Sequence, residues 1–103
     1  MIWGDRDWKD EESLKVFRET SAIILDYFLA IEDYEDRNGV RLEDFIQLNK
    51  QWKQEKEQHQ NKTDKEMSDI SKNILEKYKK LVEKIGKEKF IIYDDGTIEY
   101  KVR

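Results

Sequence analysis

The residues whose types could do chemistry are few, and His59 is the only histidine in the chain. It follows Glu55 by four residues on a predicted helix, a spacing at which the two side chains can share one metal ion. The sequence marks no third ligand, and apolar residues are scarce around the pair. We therefore expect an exposed histidine, and we predict neither a metal site nor a cofactor.

A second candidate metal site, the segment 36–39, suggests an EF-hand calcium loop only superficially. Taking Gly39 as the loop glycine places Tyr34 at the first ligand position and Phe45 at the twelfth. EF-hand loops carry acidic ligands at these two positions, and the twelfth must be a bidentate glutamate. The pattern fails at both positions, so the sequence argues against a calcium loop.

Nucleophilic and phosphate-binding chemistry also lacks its residues. The chain has no cysteine, which excludes thiol catalysis, disulfides and cysteine-based zinc sites, and its four glycines are isolated. The adjacent carboxylates Glu11 and Glu12 lie at a predicted helix start, and Asp94 and Asp95 lie in a predicted turn. Such positions are typical of backbone capping. We therefore predict no catalytic residue and no enzyme activity.

An acidic cluster occupies the predicted end of the first helix and consists of Glu32, Asp33, Glu35 and Asp36. The negative end of the helix dipole disfavours each carboxylate there by a few tenths to about 1 kcal/mol. One interpretation is a patch that docks on a basic partner protein or mimics nucleic-acid phosphates. The other is that lysines of the third helix neutralise the cluster. All four residues are candidate partner-binding residues.

A run of lysines spans the end of the third helix and the start of the last segment, close to aromatic residues. This combination is typical of proteins that bind single-stranded nucleic acid. Lysines at a helix C-terminus also complement the dipole, and the overall acidic charge weakens the electrostatic footprint. We therefore favour a solvated face and keep nucleic acid as the alternative partner. The run comprises Lys77, Lys79, Lys80, Lys84, Lys87 and Lys89.

Large apolar residues near both ends of the chain are further candidates for binding a partner. Trp3 and Trp8 flank a charged segment, and tryptophan is a frequent anchor of protein interfaces. The alternative is that Trp3 folds back as a lid on the core. At the other end, Phe90 and Ile92 are candidates because one register of the predicted hairpin leaves both outside the core.

The elements that must position these residues begin with a helix over about residues 8–35, for which Asp7 or Asp10 is the N-cap. Between residues 22 and 31 only Asp26 is polar, so the helix is apolar around its circumference. Such a helix is either the central helix of the domain or part of an oligomer interface. Its main heptad stripe is Leu14, Phe17, Ser21, Ile24, Phe28 and Ile31.

Two further helices are predicted over about residues 40–60 and 64–85. The third helix has the stronger periodicity, with apolar residues at spacings of three and four along its length. The boundary signals are an Asn38-Gly39 stop, a capping box formed by Thr63 and Glu66, and a left-handed cap at Gly86.

The last segment, about residues 89–102, changes to a period of two and predicts a β-hairpin around an Asp-Asp-Gly turn. A two-residue turn places Ile91 and Tyr93 on the buried face of the hairpin. A three-residue turn places Phe90 and Ile92 there instead. In either register, two large apolar residues face away from the buried side.

Composition and charge define the class of protein. The 103 residues correspond to one domain, 1–103, in which 43% of residues are charged and 37% are apolar. Residues 1–45 hold 13 acids and 6 bases, whereas residues 46–103 hold 11 acids and 14 bases. Neither a membrane span nor a signal peptide is present, which predicts a cytoplasmic location. The predicted fold is mainly α (α+β): an antiparallel three-helix bundle with a C-terminal β-hairpin.

These observations favour a small non-enzymatic protein-binding module that acts as a regulator, inhibitor or immunity-type accessory protein. Its Ile-, Lys- and Glu-rich composition is typical of accessory proteins of bacteria with AT-rich genomes or of their phages. The expected partner is another protein, and a homodimer is plausible. The alternatives are a nucleic-acid-associated protein that uses the third helix and the hairpin, or a structural assembly subunit.

Overall fold

The longest element is helix α1, which spans Glu11–Asn38 in a computed structural model that describes residues 8–101. Asp10 caps its start, because its carboxylate accepts from the Glu12 amide at 3.1 Å. Gly39 ends it in the left-handed region at φ 63°, where its amide donates to the Glu35 carbonyl. Both predicted boundary signals are confirmed, and the helix lies three residues downstream of the predicted range.

Helices α2 and α3 span Glu43–Glu57 and Asp64–Ile85. Helix α2 is shorter than predicted because the chain before it is extended and a 3-10 turn, His59–Asn61, follows it. The bounds of α3 match the prediction. Its capping box is confirmed, since the Glu66 amide donates to Thr63 Oγ1 at 3.1 Å and the Thr63 amide donates to Glu66 Oε1 at 2.8 Å.

Gly86 ends α3 in a conformation that differs from the predicted left-handed cap. Its φ of 125° is positive, but its ψ of 111° lies outside the left-handed helical region. The reason is the 3-10 turn Lys87–Lys89, in which the Lys89 amide donates to the Gly86 carbonyl at 3.0 Å. Gly86 therefore redirects the chain from the helix into the hairpin.

The three helices form an up-down-up bundle in which α1 and α3 start at the same end. Asp64, the first residue of α3, accepts from the backbone amides of Lys9 and Asp10 at 2.8 and 2.7 Å. Its carboxylate therefore lies where two helix N-termini meet, which is favourable because both carry positive partial charge. Helix α2 runs the other way, so that Asp44 at its start pairs with Lys84 near the end of α3 at 2.6 Å.

The core lies along α1, which packs most closely against α3 and also against the hairpin. It contains apolar side chains from all three helices and from both strands. Leu25 and Leu29 of α1 remain outside it, with 56% and 50% of their surfaces exposed. Helix α1 is thus the central helix of the bundle, yet one of its apolar sides stays about half exposed in the described range. No helix in this range is both long enough and apolar enough to cross a membrane.

The C-terminal hairpin consists of β1, Phe90–Ile92, and β2, Ile98–Tyr100. Phe90 pairs with Tyr100 and Ile92 pairs with Ile98, so the turn has three residues and the two-residue alternative is wrong. Phe90 is consequently buried, with 4% of its surface exposed, and belongs to the core together with Ile98. Ring contacts of Tyr34 with Phe90 and Tyr100 fix the hairpin on α1. The predicted position of Val102 lies outside the described residues.

We predict that Asp64→Ala lowers the free energy of unfolding by about 1–2 kcal/mol, because the Lys9 and Asp10 amides lose a charged acceptor. Urea unfolding followed by far-ultraviolet circular dichroism measures the change. The matched control is Asp69→Ala, which removes an exposed carboxylate from the same helix and should change stability by less than about 0.5 kcal/mol. Equal losses in the two variants would contradict this role of Asp64.

Candidate protein-interaction surface

A groove opens between α1 and α2 because α2 packs mainly against α3. Two aromatic contacts join α1 to α2 and bound this gap. Phe17 lies 6.1 Å from Trp52 between ring centroids, and Phe28 lies 5.4 Å from Phe45. Between these contacts the two helices leave a space of about 440 Å³, which we call the α1–α2 groove.

The α1–α2 groove is mostly apolar, and one side chain of α3, Tyr78, contributes to its lining. Ile24 and Phe28 contribute from α1, Trp52 contributes from α2, and the exposed Leu25 stands beside them. A space of this size falls within the range of ligand-binding pockets in proteins. The full lining is Ser21, Ala22, Ile24, Leu25, Phe28, Asn49, Trp52, Lys56 and Tyr78.

A few polar groups interrupt the apolar lining. The Tyr78 hydroxyl donates to Asn49 Oδ1 at 2.6 Å, and burial raises the pKa of Tyr78 far above its ordinary value, so the hydroxyl keeps its proton. Burial and the neighbouring Lys53 lower the pKa of Lys56, whose ammonium lies 5.5 Å from the centre of the Trp52 ring. Ser21 Oγ is buried and has no hydrogen-bond partner within residues 8–101.

Glu35, one of the predicted partner-binding residues, is buried with 3% of its surface exposed. Its Oε2 accepts from the Leu42 amide at 2.6 Å, and its Oε1 lies 3.9 Å from Arg41 Nη1. The Glu35 carbonyl accepts from the amides of Gly39 and Val40. In this structure Glu35 therefore holds the turn between α1 and α2, and its carboxylate faces inward.

The other three acidic residues lie on the surface. One interpretation of the sequence expected α3 lysines to neutralise them, and the structure shows no such ion pair among residues 8–101. Asp33 pairs with Arg37 at 2.8 Å on its own helix, and Glu32 and Asp36 are exposed. Lys84 of α3 pairs instead with Asp44 at the start of α2. The partner of Asp33 therefore comes from α1 itself, whereas the chain between α1 and α2 supplies the partners of Glu35 only.

The lysine run is largely engaged with neighbouring side chains. Lys79 pairs with Glu76 at 3.5 Å and Lys87 pairs with Glu83 at 3.4 Å, both on exposed helix surface. Lys77 donates to Gln51 at 3.2 Å. Ion pairs of this kind fit the solvated face that the sequence favoured.

The hairpin exposes three apolar side chains at its outer end. Ile92 is 48% exposed, whereas Phe90 is buried, so only one of these two predicted binding residues reaches the surface. Ile91 and Tyr93 lie on the opposite face and are also exposed. The Tyr93 hydroxyl donates to Glu99 Oε1 at 2.9 Å, and this hydrogen bond raises the pKa of Tyr93.

The remaining predicted residues are Trp8, Trp3 and His59. Trp8 is half-buried and packs on Phe17 at 5.2 Å between ring centroids, so it extends the core beyond the start of α1. Trp3 lies outside the described residues. The expectation of an exposed histidine is wrong: His59 is 6% exposed, because the 3-10 turn folds its ring inward, where Nδ1 lies 2.6 Å from the Lys56 carbonyl.

Sequence reasoning missed the α1–α2 groove as a site. Ser21 was the available signal, since it places a hydroxyl between Phe17 and Ile24 in an otherwise apolar stripe. Across residues 8–101, no three acidic or histidine side chains cluster so as to hold a metal ion. Compared with protein-family models, curated proteins and solved structures, the chain has no significant match.

We predict opposite effects for two neighbouring carboxylates. Glu35→Ala should lower the free energy of unfolding by about 1–3 kcal/mol, because the Leu42 amide loses its acceptor. Asp36→Ala, the matched control, should raise it by a few tenths of a kcal/mol, because an exposed negative charge leaves a helix C-terminus. Thermal and urea unfolding measure both. A loss in Asp36→Ala as large as that in Glu35→Ala would contradict the assignment.

Proposed function

We propose that this chain is a non-enzymatic protein-binding module that acts as a regulator, inhibitor or immunity-type accessory protein by occupying a surface of another protein. The observation that carries the proposal is the α1–α2 groove, an apolar channel on the side of the bundle. The occupant we propose is an amphipathic helical segment of the partner protein.

The shape of the groove supports a helical occupant. Its two walls are helices, and the aromatic rings of Phe28 and Trp52 face the space between them. A helix presents apolar side chains at spacings of three and four residues along one side, which is the pattern that fills a groove of this kind. Leu25, exposed at the rim, extends the apolar contact beyond the groove itself.

Polar atoms in the groove would orient the occupant. Ser21 Oγ is buried without a hydrogen-bond partner in the described part of the chain, and native proteins pair most such atoms. Because Oγ has almost no exposed surface, an incoming segment would have to displace a neighbouring side chain before one of its polar groups could complete this hydrogen bond. The Lys56 ammonium over the Trp52 ring adds positive charge at one wall, which favours an acidic residue on the polar side of the occupant.

The test uses a library of amphipathic helical peptides displayed on phage and selected against the immobilised full-length chain. We expect selected peptides to shift the amide resonances of Ser21 and Trp52 in nuclear magnetic resonance spectra. Leu25→Glu should weaken their binding at least about tenfold, because it places a charge against the apolar side of the peptide. Isothermal titration calorimetry measures the dissociation constants.

Leu29→Glu is the matched control, since it introduces the same change at an exposed leucine one turn along α1 that does not line the groove. Its effect on peptide binding should be less than about threefold. Peptides that bind both variants equally, or that shift resonances elsewhere and leave those of Ser21 and Trp52 unchanged, would refute the groove as the binding site.

A further inference from the structure

The outward side of α1 carries a second regular stripe, which we call the outer stripe. All its members are exposed, and their spacings of four, three, four, three and four residues follow a heptad repeat. Its middle is apolar, and its two ends carry opposite charges. In order, the outer stripe is Arg18, Ala22, Leu25, Leu29, Glu32 and Asp36.

We propose that the outer stripe is the interface of a homodimer in which α1 of one copy packs antiparallel against α1 of another. The order of charges along the stripe carries the proposal. In an antiparallel pair, the basic end of each stripe lies opposite the acidic end of the other. With a two-fold axis at the level of Tyr27, Leu25 lies against Leu29 of the partner subunit. Arg18 then faces Asp36 of the partner subunit, and symmetry repeats each contact.

A parallel arrangement does not have this complementarity. It would set Arg18 against its own copy and Asp36 against its own copy, at the two ends of the same stripe. Antiparallel pairing also places each a position of the heptad opposite a d position of the partner subunit. This is the usual geometry of antiparallel helix pairs. Charge therefore selects both the orientation and the register.

The dimer we propose is weak. The stripe from Arg18 to Asp36 is about 27 Å long, and only its central leucines are large and apolar. Asp26, beside the stripe, would approach its own copy near the axis, which opposes association. Exposed ion pairs contribute at most about 1 kcal/mol each, so charge supplies specificity rather than affinity. Interfaces of this small size belong to weak or transient associations.

The first test is sedimentation equilibrium of the full-length chain at concentrations up to about 1 mM, the range in which weak interfaces associate. We expect a monomer–dimer equilibrium that Leu29→Glu weakens at least about tenfold. Ile92→Glu is the matched control, since it alters an equally exposed apolar residue on the hairpin and should leave association unchanged. A wild-type chain that stays monomeric throughout, or equal effects of the two variants, would overturn the proposal.

A charge swap tests the orientation. Arg18→Asp should weaken association about five- to tenfold, because it places like charges together at both ends of the interface. The double variant R18D/D36R should recover most of the loss, since it regenerates the pair with reversed signs. In a parallel dimer each residue would meet its own copy, so wild type, R18D and the double variant would all carry like charges at both ends and associate about equally. An R18D variant that associates as well as wild type, or a double variant that does not recover the loss, would overturn the antiparallel arrangement.

A disulfide experiment tests the register, because the chain has no native cysteine. The register places Ala22 beside Glu32 of the partner subunit, whereas the two copies of residue 22 lie about 15 Å apart along the helix axis. Disulfides need Cα atoms within about 7 Å. Mixing Ala22→Cys with Glu32→Cys in glutathione buffer should therefore yield mainly the mixed disulfide. Equal amounts of like-with-like disulfides would contradict the register.

The dimer and the groove can fail separately. Leu29→Glu should weaken dimerisation and retain peptide binding, because Leu29 lies in the outer stripe but does not line the groove. Lys56→Glu should have the opposite effect, because Lys56 lines the groove and lies outside the outer stripe. This variant should lose peptide binding and retain dimerisation.

Discussion

The structure depends on one constraint: helix α1 is apolar on more sides than the rest of residues 8–101 covers. Helix α3 packs most closely against α1, and the hairpin covers the side of Tyr34. Helix α2 reaches α1 through aromatic contacts at Phe28 and Phe17. Within the described part of the chain, Leu25 and Leu29 remain about half exposed. Both candidate interaction surfaces arise from this incomplete coverage of α1.

The position of α2 decides how open the groove is, and polar contacts set that position. The buried Glu35 carboxylate fixes the turn that leads into α2, and the hydrogen bond between Tyr78 and Asn49 ties the middle of α2 to α3. Buried polar groups are costly to leave unpaired, so these contacts hold α2 in one position as well as stabilise the fold. Glu35, which the helix dipole disfavours at the end of α1, thus fixes the turn that leads into one wall of the groove.

Local sequence signals predicted the elements, whereas tertiary contacts determined the site. The capping box and periodicity of α3 are contained within a few residues, and the stop at Gly39 needs only a left-handed φ. The groove depends on the angle between two helices, which no short pattern encodes. The burial of Glu35 and His59 could not be predicted for a related reason, because their partners are backbone groups whose positions follow from the path of the turns.

Leu25 belongs to both proposed surfaces, so the two binding events are thermodynamically linked. It stands at the rim of the groove, and it also contributes to the centre of the outer stripe. A second copy packed on α1 would bury this side chain and narrow access to the groove from that side. If dimerisation changes the affinity of the groove for its occupant by some factor, binding of the occupant must change the dimerisation constant by the same factor. An uncovered side of one helix can therefore make the oligomeric state of a small protein depend on partner binding, without any second conformation of the bundle.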